Sequence, residues 1–521
     1  MKQEGVLVAF LGLLGCASSA RILGLFPYKG ATHFYVIQPL LEELASRGHE
    51  LLVVSHNPRS EPKPNYTDLS IAYGDDPNMM FLDFNSFEKK KPTFFSNLWG
   101  SRKLQSLLAL TKGYERAHSL SEVLSLANST FDLVITEMFN SDVFYGLVYK
   151  IGAPVVAFGS CHIFPWNEDT MGAPALPSYL PNVIGSWGPK LGFLDRLRNT
   201  IEIWIARAFY RLVVHPKAQA TAEKFLGPLP DLADIAANTS LFLVNSYFTL
   251  LGHRPFPPSV VEVGGLNVRT PKPLPMDLEK VFNKSKGVIY FSMGSILKGY
   301  TLPKEKEAMF ISALSASGRT VLWKWESNIS SRHPNIISGR WFPQGDILAH
   351  PKTELFIGHC GLLGLNEAVV RGVPVICIPI YGDQPTNSEY VREHGIGLVL
   401  DYWSLTEEKI RWAINEILYT SKYKENMRKL SSAYNDRPMS AVNTSVYWVE
   451  YILKHGPDAL RSPHSQMPIW KREGLDIAVV LLSVFAALLV ALVYITAWSF
   501  RGFKQLVKLA EIYFKVKEKK C

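Results

Sequence analysis

The residues best suited to chemistry are concentrated in positions 341–384 of the 521-residue chain. At the centre of this segment, the turn His359-Cys360-Gly361 follows a short apolar run and precedes a helical stretch. Such a turn presents backbone N–H groups, a helix N-terminus and an imidazole, which together suit an anionic group. Each residue alone is typical of a core, a surface or a turn, but the joint spacing predicts one binding site. The other members of the pattern are Trp341-Phe342-Pro343-Gln344, Phe356-Ile357-Gly358, Glu367, Gly372-Val373-Pro374, Pro379 and Asp383-Gln384.

The segment resembles the nucleotide-sugar signature of the UDP-glycosyltransferase family, in its membrane-anchored branch, and the resemblance extends over essentially the whole chain. It implies that Trp341 stacks on uracil, that Gln344 contacts the nucleoside, and that Glu367 accepts hydrogen bonds from the ribose hydroxyls. A UDP-sugar is then a co-substrate, and no cofactor or metal is expected. The other UDP-sugar-binding residues that the resemblance implies are Gly294, Ser295, His359, Gly361 and Gly364 around the diphosphate, and Asp383 and Gln384 at the hydroxyls of the donor sugar.

The same resemblance places the catalytic base at His33, between the first predicted strand and the first predicted helix. A helix N-terminus disfavours an imidazolium ion, so a histidine there stays neutral and able to accept a proton. The family usually orients this base with an aspartate, and Glu137 stands at the matching position here. Its side chain is one methylene longer, so the geometry is expected to differ. Asp132, inside the predicted strand, is the less favoured partner.

The diphosphate turn departs from the family pattern. Gly358 replaces a usual Thr, Cys360 a usual Gly, Leu363 a frequent Asn and Gly364 a frequent Ser. Each lost buried hydrogen bond would weaken donor affinity by about 1–3 kcal/mol unless water replaces it. Catalysis is nonetheless expected, because His359, Glu367, Asp383 and Gln384 are retained. Residues 362–364 are similar to arthropod relatives that use UDP-glucose, whereas vertebrate relatives often use UDP-glucuronic acid, so glucose is the predicted donor sugar.

Alternating short apolar runs and helical stretches predict parallel sheets covered by helices. The fold class is α/β of the GT-B type, with two facing Rossmann-like, doubly wound domains and a C-terminal transmembrane helix. The predicted domains are residues 21–258, which bind the acceptor, and residues 259–460, which bind the UDP-sugar. The chain has no G-x-G-x-x-G, P-loop or Asp-x-Asp motif, so NAD, FAD and metal-dependent sugar-transferase chemistry lose their best support. The predicted strands are residues 22–26, 50–55, 131–136, 154–158, 241–245, 287–292, 320–323, 354–357, 375–378 and 397–400; two of the predicted helices are residues 34–47 and 440–454.

The two ends of the chain predict a membrane topology. Residues 1–20 have the pattern of a secretory signal peptide, and residues 477–500 form an uncharged stretch long enough to cross a bilayer after a juxtamembrane segment at 461–476. The tail, residues 501–521, contributes +5 of the formal net charge of +9, which places it in the cytosol and the bulk of the chain in the lumen.

The final Lys517-Glu518-Lys519-Lys520-Cys521 is typical either of a dilysine retrieval signal for the endoplasmic reticulum or of a basic tail attracted to anionic lipid. The predicted localisation is the endoplasmic reticulum membrane, single-pass type I, with the catalytic domains in the lumen. N-glycosylation is usable only in that compartment, and the candidate sequons are Asn65, Asn128, Asn238, Asn283, Asn328 and Asn443. The odd number of cysteines in the body of the chain predicts neither a disulfide framework nor a zinc site.

These observations leave function hypotheses of different classes. The leading one is an inverting, metal-independent glycosyltransferase that joins a sugar from UDP to a hydroxyl of small lipophilic acceptors. The others are a catalytically silent UDP-sugar-binding member that modulates partners through oligomers, and a type I adhesion or receptor glycoprotein that binds no nucleotide. Homo- or hetero-oligomers remain open, and no basic stripe interleaved with aromatic residues predicts nucleic-acid binding. Residues 196–211 are either a segment on the membrane surface or an ordinary packed amphipathic helix.

Overall fold

The structure is a computed structural model that describes residues 19–72, 83–88, 115, 117, 120–183, 185, 188–326 and 333–519. Most of the predicted signal peptide, the sequon at Asn328 and the last two residues of the tail lie outside the described residues. The described part separates into two compact units, residues 1–465 and residues 466–521.

A parallel sheet forms the core of the first half of the larger unit. Its order is β3-β2-β1-β4-β5-β6-β7, and every neighbouring pair is parallel. The central strands are almost continuously apolar because helices cover both faces of the sheet. Their bounds are β1 Arg21–Phe26, β2 Glu50–Ser55, β3 Tyr66–Ser70, β4 Leu133–Glu137, β5 Val155–Gly159, β6 Leu241–Val244 and β7 Val260–Glu262.

The helices of this half pack against the sheet through apolar stripes. In Ala31–Ser46, the buried residues Phe34, Ile37, Leu41 and Leu44 recur every three or four positions, which gives one apolar face. The remaining helices of this half are Ser121–Ser125, Tyr145–Ile151, Pro165–Met171, Phe193–Phe209, His215–Leu226 and Leu232–Ala237. Two short helices from the same part of the chain, Asn85–Glu88 and Phe248–Leu251, instead pack in the other half of the unit, where Phe87 and Leu250 join its apolar clusters.

A second parallel sheet, in the order β10-β9-β8-β11-β12-β13, forms the core of the other half. Its strands are β8 Val288–Ser292, β9 Thr320–Lys324, β10 Ile336–Gly339, β11 Thr353–Gly358, β12 Val375–Cys377 and β13 Gly397–Val399. Its helices are Met276–Lys284, Lys304–Ser315, Gln344–Ala349, Leu362–Arg371, Gln384–His394, Glu407–Tyr419 and Ser421–Asn435. The predicted fold class, two doubly wound parallel α/β halves, is confirmed.

Every strand predicted from the sequence is present within one or two residues. The strands missing from the prediction are β3, β7 and β10, and each lies at an edge of its sheet. An edge strand has one neighbour and more contact with solvent, so its sequence is shorter or more polar than that of a central strand. Because β7 pairs with β6, the predicted domain boundary after residue 258 falls just before a strand of the first sheet.

The predicted helix at 440–454 corresponds to Ala441–His455, and it returns to the first half. Its buried residues Val446, Val449 and Ile452 share an apolar cluster with Ile37 and Leu41 of the first helix. The end of the larger unit therefore packs on the sheet that begins it.

The helix Phe193–Phe209 contains most of residues 196–211. It packs through a face that includes Ile203 and Ala206, while Leu197, Ile201 and Trp204 are exposed. The packed face fits the ordinary amphipathic helix, and membrane contact through the exposed stripe stays the untested alternative.

The smaller unit contains the helix Leu475–Glu518, which is long and apolar enough to cross a membrane. At 1.5 Å per residue, its 44 residues extend over about 66 Å, which exceeds the roughly 30 Å of a bilayer core. The uncharged stretch predicted at 477–500 lies within it, and the basic tail continues the same helix as far as Glu518.

The sequence predicted no disulfide framework, but the cysteines do form one disulfide. Cys360 is bonded to Cys377, with their Cα atoms 5.0 Å apart. Parallel pairing places Gly358, at the end of β11, beside Cys377 at the end of β12, so Cys360 lies just beyond that end. Neighbouring strand ends therefore bring together cysteines that show no pairing motif in the sequence. Cys161, in contrast, is free.

We expect Cys377→Ser to lower the free energy of unfolding by about 3 kcal/mol, because the bond closes a loop between residues 17 apart and restricts the unfolded chain. Urea unfolding followed by tryptophan fluorescence measures the change. A reductant should destabilise the wild type and leave the variant unaffected. Equal wild-type stability with and without reductant would contradict the pairing.

Candidate active site

A cavity of about 850 Å³ lies at the carboxyl ends of the strands of both sheets. Such ends are where doubly wound folds bind ligands, because the loops that follow the strands converge there. Aromatic side chains of the first half line the wall around His33, and these are Tyr28, Phe139, Phe164 and Trp166. The second half lines the opposite wall with polar groups and glycines as well as aromatic side chains such as Trp341 and Tyr381.

The structure brings the predicted site residues together. All of them except Glu137 line this cavity, although they come from segments far apart in the chain. Glu137 lies behind His33. The lining residues are His33, Gly294, Ser295, Trp341, Gln344, His359, Gly361, Gly364, Glu367, Asp383 and Gln384.

The ring of His33 is held on several sides. Its Nδ1 lies 2.6 Å from Oε1 of Glu137 and 2.8 Å from Oγ of Ser160. Tyr28 and Phe139 contact the ring, with centroids 4.3 and 4.7 Å away. Because an ionised carboxylate only accepts hydrogen bonds, this contact favours the tautomer with the proton on Nδ1, in which Nε2 is the nitrogen that can accept a proton. Ser160 was missed by sequence reasoning, since a single serine after a strand has no motif.

The glutamate at position 137 reaches His33 despite its additional methylene, from the last position of β4. The alternative partner, Asp132, accepts a hydrogen bond from the backbone N–H of Arg21 at 2.7 Å. It therefore ties the starts of two strands together, at the opposite end of the sheet from His33.

The imidazole of His359 occupies a space that two glycines leave open. A Cβ on Gly294 would lie 2.7 Å from its Cε1, and a Cβ on Gly361 would lie 2.6 Å from its Nε2. Gly294 also has φ +84°, a conformation that other residues rarely adopt. Nδ1 of His359 is buried and has no hydrogen-bond partner within the described part of the chain. A buried, unpaired nitrogen beside a helix N-terminus is what an anionic ligand would satisfy.

The electrostatic environment of this turn keeps His359 neutral. Burial lowers the pKa of its imidazole to about 4, and the nearby Lys324 acts in the same direction. Lys324 lines the cavity and donates hydrogen bonds to the carbonyl oxygen of Gly294 and to Glu326, both at 2.9 Å. Sequence reasoning missed this cation, and the available signal was its position directly after the predicted strand at 320–323.

The nucleoside end of the cavity contains a linked pair of side chains. The amide of Gln344 donates a hydrogen bond to the carboxylate of Glu367. Burial raises the pKa of that carboxyl group to about 7. Trp341 stands at the rim with 71% of its surface exposed, which leaves a ring face open to a stacking partner.

At the other end, Asp383 and Gln384 begin the helix Gln384–His394. Oε1 of Gln384 accepts hydrogen bonds from the N–H groups of Ile380 and Tyr381, at 2.9 and 3.2 Å. Oδ2 of Asp383 accepts one from Asn387 at 2.8 Å. No group of three or more potential metal-ligating side chains was found in the residues described.

Comparison with known proteins decides the family. The family model described as UDP-glucoronosyl and UDP-glucosyl transferase matches residues 22–510. The chain belongs to the UDP-glycosyltransferase family. It is a glycosyltransferase, and the resemblance drawn from residues 341–384 is confirmed.

Relatives of this UDP-glycosyltransferase span its length. UDP-glycosyltransferase UGT5 of Dactylopius coccus is 37% identical, with 92% of each chain covered. UDP-glucosyltransferase 2 of the same organism is 32% identical, with 94% of this chain and 95% of the relative covered. UDP-glucuronosyltransferase 1A7 of Mus musculus is 29% identical, with 92% and 91% covered.

Solved structures share the fold at low identity. A UDP-glucosyltransferase from Polygonum tinctorium superimposes with a TM-score of 0.55 at 14% identity, covering 84% of this chain and 100% of its own. UGT2 of Phytolacca americana gives a TM-score of 0.54 at 16% identity, with 84% and 100% covered. These likenesses support the GT-B architecture.

We expect Gly294→Ala to lower the free energy of unfolding by about 3 kcal/mol. A left-handed backbone costs other residues about 1–2 kcal/mol, and crowding of His359 adds about 1–3 kcal/mol. Gly318→Ala is the matched control, because Gly318 has φ +66° but no atom lies within 4 Å of the position that its Cβ would take. Denaturant unfolding of Gly318→Ala should show only the cost of the left-handed backbone, about 1–2 kcal/mol. Equal losses in both variants would mean that His359 does not need this space.

Proposed function

We propose that the protein transfers a glucosyl group, in preference to a glucuronosyl group, from a UDP-sugar to a hydroxyl of small lipophilic acceptors. The reaction inverts the anomeric carbon and is metal-independent. The observation that carries this proposal is the position of His33, which presents a proton-accepting nitrogen in the same cavity as the UDP-sugar signature.

In the proposed step, Nε2 of His33 removes the proton from the acceptor hydroxyl while its oxygen attacks the anomeric carbon. The new carbon–oxygen bond forms as the bond to the diphosphate oxygen breaks, and UDP leaves with the electron pair. Attack from the side opposite UDP inverts the anomeric centre. Glu137 stabilises the positive charge that develops on the ring, as a carboxylate hydrogen-bonded to the other nitrogen does.

The charge of the departing UDP would be stabilised by groups fixed before the reaction. These are the N-terminus of the helix Leu362–Arg371, the imidazole of His359 and the ammonium group of Lys324. Preorganised donors of this kind stabilise developing negative charge with little reorganisation. The donors absent at Gly358, Leu363 and Gly364 would then be compensated in part by Lys324.

The substrate preferences rest on separate observations. The aromatic wall around His33 favours flat, apolar acceptors, because it offers contact area and few polar groups. The preference for glucose rests on residues 362–364 and on the name of a 32% identical relative, UDP-glucosyltransferase 2.

We also propose residence in the endoplasmic reticulum membrane, with the catalytic halves in the lumen. The helix Leu475–Glu518 supports a membrane anchor, and the Cys360–Cys377 bond suits an oxidising compartment. All sequon asparagines within the described residues are exposed, namely Asn65, Asn128, Asn238, Asn283 and Asn443.

Microsomes that contain the protein should convert a mixed panel of phenols and alcohols into glucosides when supplied with UDP-glucose, and more slowly into glucuronides with UDP-glucuronic acid. Mass spectrometry of the products measures both. EDTA should leave the rate unchanged.

His33→Ala should lower kcat/KM by about 10²- to 10⁴-fold while UDP binding persists, because only proton transfer is removed.

Glu137→Gln is the companion variant, since it keeps the size of the side chain and removes its charge. We expect this variant to lower kcat/KM by a factor similar to that of His33→Ala, because the imidazolium ion formed on His33 is no longer stabilised. Full activity of His33→Ala would contradict the mechanism. UDP-glucose binding by the wild type without any product would instead support the catalytically silent alternative.

The raised pKa of Glu367 predicts a pH dependence of donor binding. With a pKa of about 7, the free carboxyl group is mostly protonated at pH 5.5 and about half ionised at pH 7. Only the ionised form accepts two ribose hydroxyl bonds, so UDP-glucose affinity should rise about tenfold between these pH values. Titration calorimetry measures the affinity. Glu367→Gln should bind more weakly at pH 7 and show little change with pH; the same slope in that variant would assign the effect to another group.

A further inference from the structure

The segment Ser160-Cys161-His162 directly follows β5 and contacts both halves of the larger unit. Oγ of Ser160 lies 2.8 Å from Nδ1 of His33, in the half that holds the proposed base. Two residues later, Nε2 of His162 lies 2.7 Å from Oδ1 of Asn387, in the half that holds the UDP-sugar signature. One short segment is therefore hydrogen-bonded to groups on both sides of the cavity.

The donor and the acceptor of the hydrogen bond between His162 and Asn387 can be assigned. The amide nitrogen of Asn387 donates to the carboxylate of Asp383 at 2.8 Å and to the carbonyl oxygen of Cys360 at 2.9 Å. The amide oxygen is thus the atom that faces His162, so His162 must donate from Nε2. Asn387 is fully buried and His162 is 3% exposed, so water cannot readily replace either partner.

The partners of Asn387 are the groups that the donor sugar and diphosphate would meet. Asp383 lines the cavity at the sugar end, and Cys360 lies in the turn between His359 and Gly361. The amide holds both in place, and His162 holds the amide. A change at His162 would therefore reach the donor site through one intervening side chain.

A second buried link joins the same segment to the helix that contains Glu367. The amide of Asn245 donates to the carbonyl oxygen of Ser160 at 2.9 Å. Its oxygen accepts from Asn366 at 3.4 Å, and Asn366 in turn accepts from the hydroxyl of Tyr434 at 3.0 Å. Both donor-binding helices are thus connected to the end of β5 by buried polar side chains.

We propose that His162, acting through Asn387, is a positioning residue that fixes Asp383, and with it the donor sugar, relative to His33. This inference rests on the proposed function, in which Asp383 contacts the donor sugar and His33 is the base. His162 does not touch the reacting atoms. Its effect is to fix the separation of donor and base, on which a displacement reaction depends steeply.

The test uses the full-length protein in detergent and compares His162→Phe with His162→Gln. Phenylalanine keeps a ring but donates no hydrogen bond. The glutamine amide reaches about as far as Nε2 and restores a donor. We expect His162→Phe to weaken UDP-glucose binding and lower kcat/KM by roughly 10- to 100-fold, with UDP affinity within about threefold of wild type, because UDP lacks the sugar and the Cys360–Cys377 bond still holds the turn. His162→Gln should recover most of both losses.

Tyr145→Phe is the matched control. It removes a buried hydrogen bond of Tyr145 to Thr239, 3.1 Å long, in the interior of the first half and away from the cavity lining. It should lower the melting temperature without changing the ratio of UDP-glucose to UDP affinity. If His162→Phe does not fold, His162→Asn replaces it, since the shorter amide cannot reach Asn387 but keeps a polar group in the site.

The inference is overturned if the variants that lack the bond bind UDP-glucose as the wild type does, if His162→Gln is as impaired as His162→Phe, or if Tyr145→Phe changes the affinity ratio equally. A wild type that binds UDP-glucose without transferring it would overturn the proposed function, and the affinity comparison would still decide the role of His162. A wild type that binds no UDP-glucose would overturn both.

Discussion

Parallel strands bring all of their carboxyl ends to one edge of a sheet, and this constraint decides where the protein can hold reacting groups. In the first sheet, that edge contains Glu137 and Ser160, and both contact His33. In the second sheet, the corresponding edge contains Gly294 and the turn after β11. The cavity lies between these two edges. A general base and an anion-binding turn can therefore face each other although more than 300 residues of chain separate His33 from His359.

Burial gives these groups their chemical character. His359 is neutral because its ring is enclosed by glycine backbone on two sides and lies near Lys324. Glu367 holds its proton up to about pH 7 because its carboxyl group is also buried. Glycine at positions 294 and 361 is the condition for this enclosure, since any larger residue would occupy the space of the imidazole. Burial also makes the loss of a hydrogen bond between the two halves costly, because no water can replace the missing partner of a buried amide or imidazole.

The Cys360–Cys377 bond lies in the turn whose composition departs from the family pattern. Cys360 has φ +64°, a left-handed conformation that glycine adopts without strain, at the position where the family usually has glycine. The bond to the end of β12 and the hydrogen bond from Asn387 both hold this residue. The cysteine that replaces the usual glycine is thus held by a covalent link and a hydrogen bond in the tertiary structure.

The sequence by itself determined the central strands and the order of the two α/β halves, and it indicated the donor-site residues that line the cavity, because apolar runs and motif spacing are local properties of the chain. It did not indicate the edge strands β3, β7 and β10, which are either polar or only three or four residues long, or the pairing of the cysteines. It also did not indicate Ser160, Lys324 or the bond of His162 to Asn387, whose partners lie 225 positions apart. Only the tertiary structure decided these contacts, because the choice of partner for an isolated polar residue depends on which strands become neighbours and which side chains are buried together.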